Sequence, residues 1–190
     1  MKALIPFLLI LWVHPLWAAD TPVSSRIEGD LPARRATTLE KRLNHRFADF
    51  PTLESTASMT WLAAEGRRLL SEELRSKGWY QPVIEAVVSE SRHRITYSIK
   101  PGCRTRYREV NIELTDVDSA VSIPDTVSPK SWLDHAAYEK AANAFLGGLY
   151  RDGYLWARWQ DKQVVVDVPA CAADLSWQLR RGPRARMGEL

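Results

Sequence analysis

The side chains able to carry covalent, metal or acid–base chemistry are few and scattered. Past the N-terminal segment there are three histidines, His45, His93 and His135. They are far apart and in none of the short spacings that build a zinc site, so each reads as a surface residue. Glu72 and Glu73 are neighbours on a helical pattern and point apart, which disqualifies them as an acid/base pair. No nucleophile elbow, phosphate loop or dinucleotide fingerprint occurs. The remaining candidates are Cys103 and Cys171. They could be two independently buried small hydrophobes or one disulfide, and their spacing leaves the choice open. The expectation is a chain that is not an enzyme and needs no cofactor or metal.

Composition narrows the class further. The chain has 190 residues with 45% apolar content, and 26 Lys and Arg against 23 Asp and Glu give a net charge of +3. It can build a core, and its charges are mixed rather than gathered, which argues against nucleic-acid binding. The start, Met1-Lys2 followed by an apolar run from Ala3 to Val13 and small residues before Asp20, has the three regions of a secretory signal and is too short for a spanning helix. Residues 1–19 are assigned as signal peptide, cleaved after Ala18 or Ala19, with an uncleaved anchor as the competing reading. The mature chain is then expected in a compartment where disulfides persist.

The elements that position these residues occur twice. Arg104-Thr105-Arg106-Tyr107-Arg108-Glu109-Val110 and Arg184-Ala185-Arg186-Met187-Gly188-Glu189-Leu190 share Arg, Arg, an apolar residue, Glu and an aliphatic residue at equal offsets. A turn pair precedes each, Pro101-Gly102 and Gly182-Pro183. Upstream, Leu74 to Tyr80 answers to Leu149 to Leu155, each a helix ending on Gly with an aromatic behind it. Met59, Leu62, Ala63, Gly66, Leu69, Leu70 and Leu74 predict one amphipathic helix. Tyr138, Ala141, Ala142, Phe145, Leu146 and Leu149 predict the other, with Ser131 and Asp134 as its capping box. Behind each Gly the period becomes two: Ile84 to Val88 with Ile95 to Ile99, and Val164 to Val168 with Leu175 to Leu179, predict hairpins. Val23 to Gly29 and Val110 to Leu114 are the opening strands. Ala36, Leu39, Leu43, Phe47 and Phe50 predict an extra helix in the first copy, which Thr115 to Lys130 of the second lacks or shortens. The fold class is therefore α+β: tandem β-α-α-β-β units, residues 23–103 and 104–183, with 184–190 as the start of a truncated third unit.

This order resembles the polypeptide-transport-associated (POTRA) domain of bacterial outer-membrane assembly proteins. Arg26-Ile27-Glu28-Gly29 before a charged helix, Leu74 to Tyr80, Pro101-Gly102, and the Tyr138 helix ending at Gly153-Tyr154 look like the periplasmic region of the outer-membrane subunit of the translocation and assembly module. The resemblance covers nearly all of the mature chain, which departs from the family in lacking a third such domain and the strands of a membrane barrel. It implies a periplasmic module that contributes binding but not membrane insertion, engaging unfolded outer-membrane proteins or an inner-membrane-anchored assembly partner. It also implies a three-stranded mixed sheet per unit, covered by helices, with the third strand central and parallel to the first. In that arrangement Cys103 and Cys171 stand before adjacent parallel strands, and the resemblance implies a bridge between them.

Strand addition is the expected binding mode. The second strand of each unit would then be a sheet edge, Val83, Ile84, Glu85, Ala86, Val87 and Val88 in one copy and Gln163, Val164, Val165, Val166, Asp167 and Val168 in the other, and a proline at Val165 should weaken binding without unfolding the chain. Arg104, Arg106 and Arg108 could form a basic band at the domain junction, solvated or in peripheral contact with anionic headgroups of the outer membrane. Trp156 and Trp159 have opposite parity on a strand, so one should be exposed; stacking of a sugar there gives the alternative function, a periplasmic cell-wall glycan-binding module. A membrane-anchored relative of single-domain division proteins is a third reading, which the lone Lys2 argues against.

Overall fold

The computed structural model describes residues 23–50, 56–115 and 124–185. The signal peptide and most of the 184–190 segment fall outside them. The first unit runs β1 (Ser24–Gly29), α1 (Ala33–Phe47), α2 (Thr56–Ser76), β2 (Val83–Ser89) and β3 (Arg94–Lys100), with a 3-10 turn at Glu90–Arg92 between the last two. Its sheet order is β1-β3-β2. β1 lies parallel to β3, with Ile27 opposite Tyr97, and β2 lies antiparallel to it, with Ala86 opposite Tyr97. Alternation sends Ile95, Tyr97 and Ile99 to one face, where they are fully buried beneath Leu39, Leu43 and Phe47 of α1 and Leu62, Leu70 and Leu74 of α2. Each such side chain contributes roughly 1.5–3 kcal/mol by leaving water. The interior glycine of α2 has a packing reason. A Cβ on Gly66 would run into the Tyr97 ring and the edge of Phe47, so the bare backbone lets the helix settle onto the central strand.

The second unit runs β4 (Arg106–Leu114), a 3-10 turn (Asp125–Val127), α3 (His135–Arg151), β5 (Arg158–Asp167) and β6 (Ala172–Arg180), with sheet order β4-β6-β5. β4 is parallel and β5 antiparallel to β6. Its core centres on Trp177, fully buried, with ring centroids of Tyr138, Trp159 and Phe145 at 5.6, 5.2 and 6.3 Å. Among the described residues no first helix stands between β4 and α3; the buried Val127 of the 3-10 turn packs into that core instead.

Three expectations are corrected. β4 starts four residues before Val110, because a bulge between Tyr107 and Glu109 lets both Tyr107 and the out-of-phase Val110 and Ile112 face the core. A second bulge between Trp159 and Asp161 does the same in β5, reconciling Trp159 with Val164 and Val166. Ser131 and Asp134 make no capping box: Asp134 is itself the N-cap of α3, accepting from Ala136 N and Ala137 N at 3.0 and 3.2 Å, while Ser131 donates to Ser128 O at 2.7 Å.

Candidate functional site: two sheet edges and the junction between units

β2 and β5 each have a single neighbour. Which of their backbone groups are free follows from the ladder. Ser24 N donates to His93 O and Asp30 N to Ile99 O, so odd-numbered residues of β3 turn toward β1 and even-numbered ones toward β2. Backbone direction alternates along a strand. The residues opposite even-numbered partners, Val83, Glu85 and Val87, therefore bond inward, and Ile84, Ala86 and Val88 present their N–H and C=O outward. The same logic applies to the second sheet, where Arg106 N donates to Cys171 O and Thr115 N to Leu179 O. Gln163, Val165 and Asp167 bond into the sheet, and Lys162, Val164 and Val166 face outward. Val168 lies in the turn after β5, where its carbonyl accepts from Cys171 N. The Val165 amide faces the ladder, so proline there would remove a sheet hydrogen bond rather than report on the edge.

The two edges differ. β2 carries no bulge, and Val83 and Val87 on its open face are 56% and 67% exposed. β5 is bulged near Gln160, a feature that blunts an edge. Its outward-facing residues Lys162, Val164 and Val166 line a cavity of about 440 Å³ shared with Tyr80, His135 and Tyr138.

The junction between the units is built at Gly78. This residue has φ +91°, and a Cβ on it would stand 2.5 Å from Leu133 O, so no other side chain fits without displacing backbone. Gly78 O accepts from Thr105 N at 2.8 Å, Thr105 O accepts from Leu133 N at 3.0 Å, and Arg104 Nε donates to Lys77 O at 2.9 Å. Lys77 pairs with Asp134 at 3.0 Å, and Tyr80 Oη lies 2.7 Å from His135 Nε2. Burial of Tyr80 raises its phenol pKa. Burial alone would raise the Asp134 carboxyl too, but the Lys77 ammonium and the Ala136 and Ala137 amides outweigh it, and its pKa lies below the ordinary value.

The arginine band divides. Arg104 is stacked at 4.8 Å on Trp79 and 5.0 Å on Trp132, and Arg106 covers Trp132 at 3.8 Å. Arg108 instead pairs with Asp174 and, at 3.5 Å, with Asp167, so it belongs to the open face of the second sheet. The sequence echo at Arg184 is an echo of bonding: Ala185 N donates to Gly153 O at 2.8 Å and Arg184 Nε to Asp152 O at 2.8 Å, as Thr105 and Arg104 do at Gly78. Yet Leu155 and Trp156 beside it are each 60% exposed, whereas Trp79 is 8% exposed. Trp156 sits in a turn ahead of β5 and Trp159 packs on the core.

Cys103 and Cys171 are joined in a disulfide, with a Cα separation of 6.2 Å, because Arg106 pairs in parallel with Ala172 and brings the residues before both strands together. His45 and His93 are exposed, and among the described residues no group of three His, Cys, Asp or Glu could hold a metal ion. Sequence reasoning missed the joint clustering of Trp79, Trp132, Arg35 and Arg104; the only signal was the aromatic after Gly78.

No family model matches the chain, and no curated protein matches it. Among solved structures, it is similar to BamA from Haemophilus ducreyi lacking POTRA domains 1-3, at 18% identity and TM-score 0.38, over 83% of this chain and 28% of that one. It is similar to POTRA1-3 of the periplasmic domain of Omp85 from Anabaena at 10% identity and TM-score 0.38, over 84% and 60%. The N-terminal domain of Omp85 from Thermosynechococcus elongatus gives 13% and 0.37, over 84% and 62%. The chain thus spans less than two thirds of each of these proteins.

Proposed function

We propose that this chain is a non-catalytic periplasmic POTRA module that assists outer-membrane protein assembly by holding extended polypeptide segments at the free edges of β2 and β5. The observation carrying the proposal is the row of outward-facing backbone groups at Ile84, Ala86 and Val88, on a regular edge strand with exposed valines on its open face. Backbone pairing tolerates sequence variation, and side-chain alternation adds limited selectivity. Such a mode suits unfolded outer-membrane clients, autotransporters included, or an extended segment of an inner-membrane-anchored partner. The resemblance to the outer-membrane subunit of the translocation and assembly module supports the same reading.

Proline scanning tests it. Ala86→Pro and Val166→Pro each remove a donor that faces away from the sheet, where proline is tolerated. With a labelled ten-residue strand peptide from an outer-membrane barrel, loss of one backbone hydrogen bond, about 1 kcal/mol, weakens binding roughly fivefold per proline at an occupied edge. Unchanged binding in both variants, with unchanged circular dichroism, rejects strand addition.

A further inference from the structure

On the helical side of the first unit a groove runs between α1 and α2 and opens at the junction. Its junction end is a cavity of about 570 Å³ walled by Trp79 and Trp132 and lined by Arg34, Arg35, Lys77 and Arg104. It continues into a second cavity of about 230 Å³ floored by Leu39, Leu43 and Leu69, with Arg42 and Arg46 on its rim. The two share Leu39, Arg42 and Glu73.

The charge of this groove is only partly compensated. Glu73 is its single lining carboxylate, and Arg42 takes it at 2.7 Å. Lys77 is held by Asp134 and Arg46 by Asp49. Arg34, Arg35 and Arg104 have no carboxylate within salt-bridge distance among the described residues. Arg35 and Arg104 crowd the same indole, each 4.8 Å from the Trp79 ring centre. Burial and the neighbouring Arg35 charge lower the Arg104 pKa, outweighing the opposite pull of the Asp134 carboxylate. Two guanidinium groups over one ring, with no carboxylate in salt-bridge contact among the described residues, are relieved by an anion that both can fork. The first turn of α1 also holds no acidic residue.

We propose that the α1–α2 groove binds an acidic peptide segment of a partner protein, its carboxylates on Arg34, Arg35 and Arg104 and its aliphatic side chains on Leu39, Leu43 and Leu69. The apolar floor next to the cationic end favours a peptide over a bare anion or a lipid headgroup, because neither of those would use both parts of one groove.

A fluorescein-labelled twelve-residue peptide alternating Glu and Leu is the probe, read by anisotropy with the full mature chain. The expected result is saturable binding that weakens with salt and falls at least tenfold in the Arg34→Glu, Arg35→Glu double variant with an unchanged melting midpoint. Arg104→Gln should weaken it as well; if that variant unfolds, the double variant carries the test. The labelled barrel-strand peptide should keep its affinity in the Arg34→Glu, Arg35→Glu variant, which separates this site from strand addition. Equal affinity in the double variant overturns the proposal. So does displacement of the peptide by millimolar inorganic phosphate, or a stronger response to phosphatidylglycerol vesicles than to the peptide.

Discussion

Replacing both Cys103 and Cys171 with serine should destabilise the second unit and spare the first. The bridge spans a sequence separation of 68 and encloses β4, α3 and β5. In the chain-entropy model, closing a loop of that length removes about 4 kcal/mol of freedom from the unfolded state. For a unit of roughly 80 residues, 1 kcal/mol moves the melting midpoint by about 4–8 °C, so the second unit should melt roughly 15–30 °C earlier. The core of the first unit uses no cysteine, and its midpoint should move only through the junction. Calorimetry of oxidised wild type and the double-serine variant reads both transitions. Amide exchange at Tyr97 and at Trp177, one buried in each core, assigns them. A shift under 5 °C, or equal shifts in both transitions, would refute the reasoning, since the bridge would then constrain little or the two units would unfold as one.

Gly78 and Gly153 share φ +91° but not surroundings: alanine at Gly78 meets Leu133 O at 2.5 Å, while at Gly153 the nearest atom is the flexible Arg184 Cγ at 3.3 Å. Gly153→Ala should cost about 1–2 kcal/mol from the left-handed backbone. Gly78→Ala should cost more in urea titrations and also loosen the junction, visible as increased amide exchange at Thr105 and Leu133. Asp134→Asn should cost about 1 kcal/mol at neutral pH by breaking the Lys77 pair while keeping an N-cap. Because the folded Asp134 pKa is depressed below its ordinary 3.8, its contribution is present above that value and lost as pH falls through the folded value. The wild-type advantage should therefore shrink in urea titrations as the pH is lowered from 3.8 through the folded value. Trp177→Ala should destabilise the second unit by about 3–5 kcal/mol, read as loss of its calorimetric transition with the first retained.

Periodicity was enough to establish the two-unit α+β organisation. Spacing of three and four in Leu39, Leu43 and Phe47, and of two in Ile95, Tyr97 and Ile99, is a direct image of which face is buried, and local backbone geometry fixes that relation. The terminal glycines were legible for the same reason, since a helix stop is a local event. Strand beginnings in the second unit were not. The bulges at Tyr107 and Trp159 shift parity, and a bulge exists only relative to the partner strand it opposes. The direction of each edge amide, inward at Val165 and outward at Val166, likewise depends on register with β6. The groove is a still longer-range result, because Arg35 and Arg104 are remote in sequence and meet over Trp79 only when the junction at Gly78 has formed. What the sequence determined on its own was the set of faces to be buried. Tertiary structure decided which charges were left without partners and which backbone groups were left free, because both depend on neighbours that local periodicity does not encode.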